Sequence, residues 1–361
     1  MKITFLAAIL STAFMTVFMS LTYAQNPLAS GQQSVSALAG NCFSNDFRSR
    51  PCTDLDGLTT VPKDASQAFQ KGEYQKLDQW FITFCTGNNR MKDGTWLIKH
   101  FESGLATHFA TWSYSKSLYT DILKWQQIAT LSAAPYWAES LYWYGAAWSL
   151  PRPRLAEKRS SLNKKLFEQR LVAAETAINR AKEIPAECPL LEVQELAIKI
   201  DRGTSVASAQ ILFDKARRRF PEYHSLYSVM ARVYFSRSIG DPIARDAFAK
   251  RSAQLTQDFE GKGMYARLYS RKHLRSDTGP EQWIGDLSPS WKQLKESFDD
   301  LLTRYPNSKI IVADYLDQAC RSDDHETYRR LRASVIGLEA HSLTDNSLDV
   351  CDEKHKWKNL R

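Results

Sequence analysis

The stretch Pro135-Tyr136-Trp137-Ala138-Glu139-Ser140-Leu141-Tyr142-Trp143-Tyr144-Gly145-Ala146-Ala147-Trp148-Ser149 places six aromatic rings in fifteen residues. Trp137, Leu141, Tyr144 and Trp148 recur at steps of four, three and four, which puts them on one stripe of an α-helix. Pro135 suits a first helical turn, where its missing N–H is no loss, and Pro151 stops continuation. Tyr136, Trp143 and Ala147 occupy an adjacent face, leaving a narrow polar sector around Glu139. A helix apolar over most of its circumference is normally buried, so this one is expected at the centre of the fold.

Working outward, the periodicity predicts helices on both sides. Before the aromatic stretch they cover Ala65 to Gln70, Tyr74 to Phe84, Trp96 to Ala110 and Ser115 to Leu131. After it they cover Leu166 to Ile184, Leu190 to Asp201, Val206 to Phe220, His224 to Arg237, Ile243 to Phe259, Met264 to His273, Ser290 to Tyr305, Lys309 to Cys320 and Glu326 to Ile336. Gly72, Pro185 and Gly203 mark breaks. No segment reads as a strand. The spacing therefore predicts an all-α protein of stacked helical hairpins over 65–343.

The ends read differently. Lys2 precedes nineteen uncharged residues, Ile3 to Leu21, and Thr22-Tyr23-Ala24 supplies small residues at a cut, the pattern of a secretory signal over 1–24. The apolar run is also long enough to span a bilayer, so an uncleaved N-terminal anchor is the alternative and the chain's one route to a membrane. Either way the body is exported, to the periplasm or the medium. Residues 25–64, rich in Ser, Gly, Ala and Asn, read as a linker, and 344–361 as a basic tail. Cleavage after Ala24 would remove one Lys from 48 basic residues against 40 acidic ones, so the net charge falls from +8 to +7.

Six cysteines in an oxidising compartment are disulfide candidates with fifteen possible connectivities. Cys42 with Cys52 brackets a short loop and is the first pairing expected. Cys320 with Cys351, tying the tail to a helix, comes second, and Cys85 with Cys188 is the remainder.

An internal echo supports repetition: Phe213-Asp214 and Arg219-Phe220-Pro221 match Phe298-Asp299 and Arg304-Tyr305-Pro306 at a constant offset of 85. The helix–turn–helix units built on these steps, and the Gly72-Glu73-Tyr74 turn, resemble tetratricopeptide repeats, without their strict period. Read together, Phe69 to Trp80, Ala147-Trp148, Arg219-Phe220-Pro221-Glu222-Tyr223, Asp246-Ala247-Phe248-Ala249 and Gly263-Met264-Tyr265-Ala266-Arg267-Leu268-Tyr269 are similar to the bacterial family known as domain of unknown function 4034, over roughly 65–275. Ser149-Leu150-Pro151 and Ile239-Gly240-Asp241 depart from that family's glycine-rich turns. The resemblance implies a helical fold and bacterial origin; it supplies no reaction, and no catalytic residue is carried over.

Catalytic motifs are missing. No nucleophile elbow, phosphate loop or dinucleotide fingerprint occurs. His100 and His108 stand eight apart rather than the four that a helical zinc pair needs, so neither metal nor cofactor is expected. Glu139-Ser140 is faintly similar to the Glu-Ser step of lytic transglycosylases, in which a carboxylic acid works in an apolar cleft. Glu139 is therefore the candidate for the alternative reading, a glycan or cell-wall-active enzyme.

Seven of the ten tryptophans lie between Trp80 and Trp148 and read as core filling. Tyr142 is the first ring to suspect on a binding face, with Trp143 and the basic connector residues Arg152 and Arg154 as its companions. For the basic clusters around Arg217 to Arg219 and Arg329 to Arg332, counterparts outside the cytoplasm are membrane phosphates, anionic glycans or an acidic protein surface rather than nucleic acid. The functional expectation is an exported, non-catalytic helical-repeat protein that binds a protein or peptide, with an inhibitor or immunity-type protein as a special case.

Overall fold

Pro62 sits in the first turn of a helix that runs Val61–Gln70 (α1), where its absent donor loses no hydrogen bond. The sequence placed this residue in the linker, so the helical body begins a turn early. Gly72, at φ +71°, then turns the chain into Tyr74–Phe84 (α2), a conformation glycine adopts without strain. The computed structural model describes residues 41–43, 49–51, 59–87, 89–150, 161–235, 242–270, 289–335 and 347–355, all within one compact unit, Val35–Arg361. The signal segment 1–24, Cys52 and hence the Cys42–Cys52 pairing, and Arg152 and Arg154 lie outside the described residues.

The chain continues through α3 (Leu97–Thr111), α4 (Lys116–Ile128), α5 (Ala134–Trp148), α6 (Ser161–Glu183), α7 (Pro189–Asp201), α8 (Val206–Arg219), α9 (His224–Phe235), α10 (Pro242–Leu255), α11 (Gln257–Glu260) and α12 (Gly263–Tyr269). It ends with α13 (Trp291–Arg304), α14 (Lys309–Arg321), α15 (His325–Arg332) and α16 (Ser347–Lys354). Four expectations are corrected. Asn41–Phe43 (β1) and Ser49–Pro51 (β2) form an antiparallel hairpin with Cys42 opposite Arg50, inside what the sequence gives as structureless linker. The basic connector is shorter than expected, because α6 already starts at Ser161. The tail contains α16, and the helix expected over 243–259 breaks at Thr256, whose buried hydroxyl bonds back to the Ser252 carbonyl (2.9 Å).

Most consecutive helices pack on one another, and one set also packs on the next but one: α1 on α3, α3 on α5, α5 on α7 and α7 on α9. Small residues set the closest approaches. Gly104 on α3 lies so near α1 that a Cβ there would stand 2.3 Å from the Pro62 carbonyl oxygen. Leu171, Ala174, Ile178 and Ala181, all fully buried, form the α6 stripe that meets α5, and Ser140 donates to the Ala174 carbonyl (2.8 Å) across that contact.

The aromatic residues fill the centre. Trp137 and Trp125 are fully buried, Trp80 and Trp96 nearly so. Trp137 packs on Phe81 and Phe101 with ring centroids 5.6 and 6.0 Å apart, and the Trp125 indole N–H donates to Asp78 (3.0 Å). Trp143 and Trp148 are only partly buried, and Trp112 is 52% exposed at the end of α3, so the expectation of core filling holds for four of the seven.

The 85-residue echo is structural as well. α8 and α13 start at 206 and 291 and end at 219 and 304, and the next helices start at 224 and 309. Phe220 and Tyr305 close them in the same backbone conformation, φ −131°, ψ 63° and φ −127°, ψ 60°. Among the described residues, two disulfides brace the body. Cys85–Cys188 ties the end of α2 to the start of α7, and Cys320–Cys351 ties α14 to α16; both fit an oxidising compartment. Among the described residues no helix is long and apolar enough to cross a membrane.

Candidate functional site

The stripe that begins in the core at Trp137 and Leu141 emerges at its far end. Tyr144 and Trp148 are only partly buried and line a cleft of about 730 Å³ between α3, α5, α7 and α9. The sequence expected the whole stripe to be interior; in the last turn Ala146 and Ala147 are buried, while Tyr144 and Trp148, on the side that meets the cleft, are not. Small side chains, among them Ala106, Ala110, Gly145 and Ala197, line this cleft.

A single carboxylate fixes both rings. Asp201, the last residue of α7, accepts from the Tyr144 hydroxyl (2.6 Å) and the Trp148 indole N–H (3.0 Å). Arg232 of α9 pairs with the other Asp201 oxygen and also donates to the Tyr144 hydroxyl (2.9 Å). The rings' polar atoms are thus engaged inside the protein, which holds the side chains in place before any ligand arrives. Lys99 on the opposite wall is paired with Glu102 (2.9 Å). Gln194, 4% exposed, also lines the cleft, and its amide nitrogen makes no hydrogen bond among the described residues.

The residues singled out from sequence lie elsewhere. Tyr142 is 4% exposed and its hydroxyl donates to the Tyr114 carbonyl (2.6 Å), so the ring expected on a binding face is interior. It falls on the side of α5 that meets the α3–α4 connection. Trp143 is half-buried, edge-on to Tyr119 and Tyr142. Glu139 neither faces bulk water nor lines either of the two clefts described here. It is 7% exposed and accepts from Tyr119 (3.0 Å) and Gln126 (2.7 Å). His108 bonds Ser66 (2.9 Å) inside the α1–α3 contact, and Cys351 belongs to the disulfide with Cys320. Arg219 pairs with Glu192, and Arg332 with Asp352 (2.9 Å).

A second cleft, of about 240 Å³, lies between the start of α3, α12, α13 and the start of α14. Behind it stands a buried ionic network that the sequence reading did not find. Glu260, fully buried, accepts from Tyr305 (2.6 Å), from Arg267 Nε (2.7 Å) and from His224 Nε2 (2.9 Å). Arg267 reaches on to the backbone of Asp93, whose carboxylate takes the Thr95 amide (2.9 Å) and hydroxyl (2.8 Å). Burial alone would raise the pKa of both acids, but Arg267 together with His224 holds Glu260 far below the carboxylate range. Arg267, His100 and the Thr95 donors likewise hold Asp93 below it.

Little in the sequence points to these groups. Asp201 is the exception, because a carboxylate at a helix C-terminus opposes the helix dipole and implies a partner. Glu260, Arg267 and Asp93 meet only through folding. No family model, no curated protein and no solved structure matches this chain.

Proposed function

We propose that the chain is an exported, non-catalytic, tetratricopeptide-like helical-repeat protein that binds a protein or peptide partner in the cleft between α3, α5, α7 and α9. The observation that carries this reading is the pair Tyr144 and Trp148, fixed by Asp201 and Arg232 on the wall of a cleft about 730 Å³ in volume. Pre-positioned aromatic faces reduce the ordering penalty of binding, and stacked helical hairpins present such surfaces on the face of their inner helices. The 85-residue echo and the packing of alternate helices support the repeat reading. Two disulfides support the exported one. The resemblance to domain of unknown function 4034 is part of the same proposal, and an inhibitor of an envelope enzyme is its special case.

Ala110 lines the cleft and is exposed, so Ala110→Trp should plug it without disturbing the core. Tagged protein incubated with bacterial envelope extract should recover a partner, and the plugged variant should lose it. Recovery of the same partner by Ala110→Trp, or of none by the natural chain at both low and physiological salt, would overturn the proposal.

A further inference from the structure

The helices that line the large cleft and those behind them differ in charge. No residue lining that cleft belongs to α4, α6, α8 or α10. These four pack on the cleft row from behind: α4 and α6 on α5, α6 and α8 on α7, α8 and α10 on α9. Every Lys, Arg, Asp and Glu of α3, α5, α7 and α9 is in an ion pair. In the layer behind, Lys116, Lys164, Lys165, Lys215, Arg218 and Arg251 are exposed and make no ion pair or side-chain hydrogen bond among the described residues. Of the carboxylates on those four helices only Glu183 is left likewise, because the others are paired. The face turned away from the cleft is therefore positive, with its charges open to solvent.

The same layer exposes hydrocarbon. Seven of the ten exposed large apolar side chains among the described residues belong to it, Leu162 (63%) and Ile211 (70%) among them, and their placement is regular. On α8, Ile211, Lys215 and Arg218 stand at steps of four and three, opposite the buried Ala209, Phe213 and Ala216. On α6, Leu162, Lys165 and Val172 share a stripe opposite the buried Leu171, Ala174 and Ile178. Aliphatic side chains thus alternate with unpaired cations on one face of each helix.

We propose that this layer, α6 and α8 foremost, docks on an anionic lipid surface. Lys165, Lys215 and Arg218 meet headgroup phosphates, and Leu162, Val172 and Ile211 enter the boundary with the acyl chains. An acidic protein surface would pair the cations but set the aliphatic groups against polar ones; a lipid surface accommodates both. The contact is separate from the apolar run Ile3 to Leu21 and from whatever occupies the cleft.

The test is sedimentation of the full chain with vesicles. Each Lys or Arg close to an anionic surface strengthens partitioning about fivefold. Vesicles of equal parts phosphatidylcholine and phosphatidylglycerol should therefore bind at least about tenfold more strongly than pure phosphatidylcholine, which registers any contribution of the N-terminal run. Lys215→Gln combined with Arg218→Gln should lose about tenfold or more of this binding, and Ile211→Ser about fivefold. Both variants should melt within about 2 °C of the natural chain, since all three side chains are exposed. High salt should weaken the binding by screening, and Ala110→Trp, which plugs the cleft, should leave it unchanged. Equal partitioning onto the two kinds of vesicle would overturn the proposal, as would undiminished binding by the double variant. So would Ile211→Ser binding as the natural chain does, the result expected of a site for an acidic protein, or loss of binding in Ala110→Trp.

Discussion

Replacing Glu260 by Gln probes the ionic centre directly. The side chain is fully buried and takes donors from Tyr305, Arg267 and His224 at 2.6, 2.7 and 2.9 Å. Glutamine keeps the volume and one acceptor oxygen. It turns the other oxygen into a donor facing donors, and it leaves the Arg267 charge buried with its main counter-ion gone. Breaking a buried pair in this way costs about 3–5 kcal/mol, a large share of a total stability of roughly 5–15. With a urea slope of about 1–3 kcal/mol per M, the midpoint should fall by about 1 M or more at pH 7. Arg267→Met made in the Glu260→Gln background should add less than it does alone, with a coupling of about 0.5–3 kcal/mol. The pH dependence has a definite sign. Glu260 has a folded pKa depressed below its ordinary 4.5, so its contribution is complete above about that pH and is lost as pH falls through the folded value. The gap between natural chain and variant should therefore close on acidification below about pH 4.5. Urea curves followed by tryptophan fluorescence would measure all of this. A loss under about 1 kcal/mol at pH 7 with unchanged slope would refute the reasoning.

Three further perturbations follow from local geometry. Gly104→Ala drives a Cβ to 2.3 Å from Pro62 O and 2.7 Å from Pro62 Cα, backbone atoms that cannot rotate away. It should cost about 1–3 kcal/mol or more, and an unchanged thermal midpoint would disprove the close contact between α1 and α3. Replacing both Cys85 and Cys188 by Ser opens a covalent loop with a sequence separation of 103; the chain-entropy estimate is a loss of about 4–5 kcal/mol. Reductant should reproduce that shift, and no shift from either would contradict the bridge. His355 is fully buried, with its Nδ1 2.7 Å from Nδ1 of His325, its Nε2 3.3 Å from the Cys320 carbonyl, and Lys354, Asp323 and Arg329 nearby. Burial lowers its pKa below 6.5, so the stability gained by keeping it neutral is present above that pH and lost below it. Amides at the end of α16 should exchange faster at pH 5.5 than at 7.5 after correction for the intrinsic rate; a flat profile would count against the histidine contact.

Local sequence determined the helices and many of their ends, because side-chain period and the stops set by Pro and Gly act within a turn or two. The aromatic stretch gives α5 its stripe, and the Phe220 and Tyr305 steps give two hairpins with the same cap. Local sequence also marked the cysteines that form Cys320–Cys351, although Cys85–Cys188 came only by remainder. Periodicity says which residues share a face, yet not what that face meets. Tyr142 and Tyr144 are two residues apart on one helix; packing buries the first under the α3–α4 connection and leaves the second on a cleft wall. Arg267 and Asp93 stand 174 residues apart and join only when α12 docks beside the loop before α3. Interactions across such separations depend on how the helices stack, and tertiary packing alone decided where the charges of this protein converge and where its surface opens.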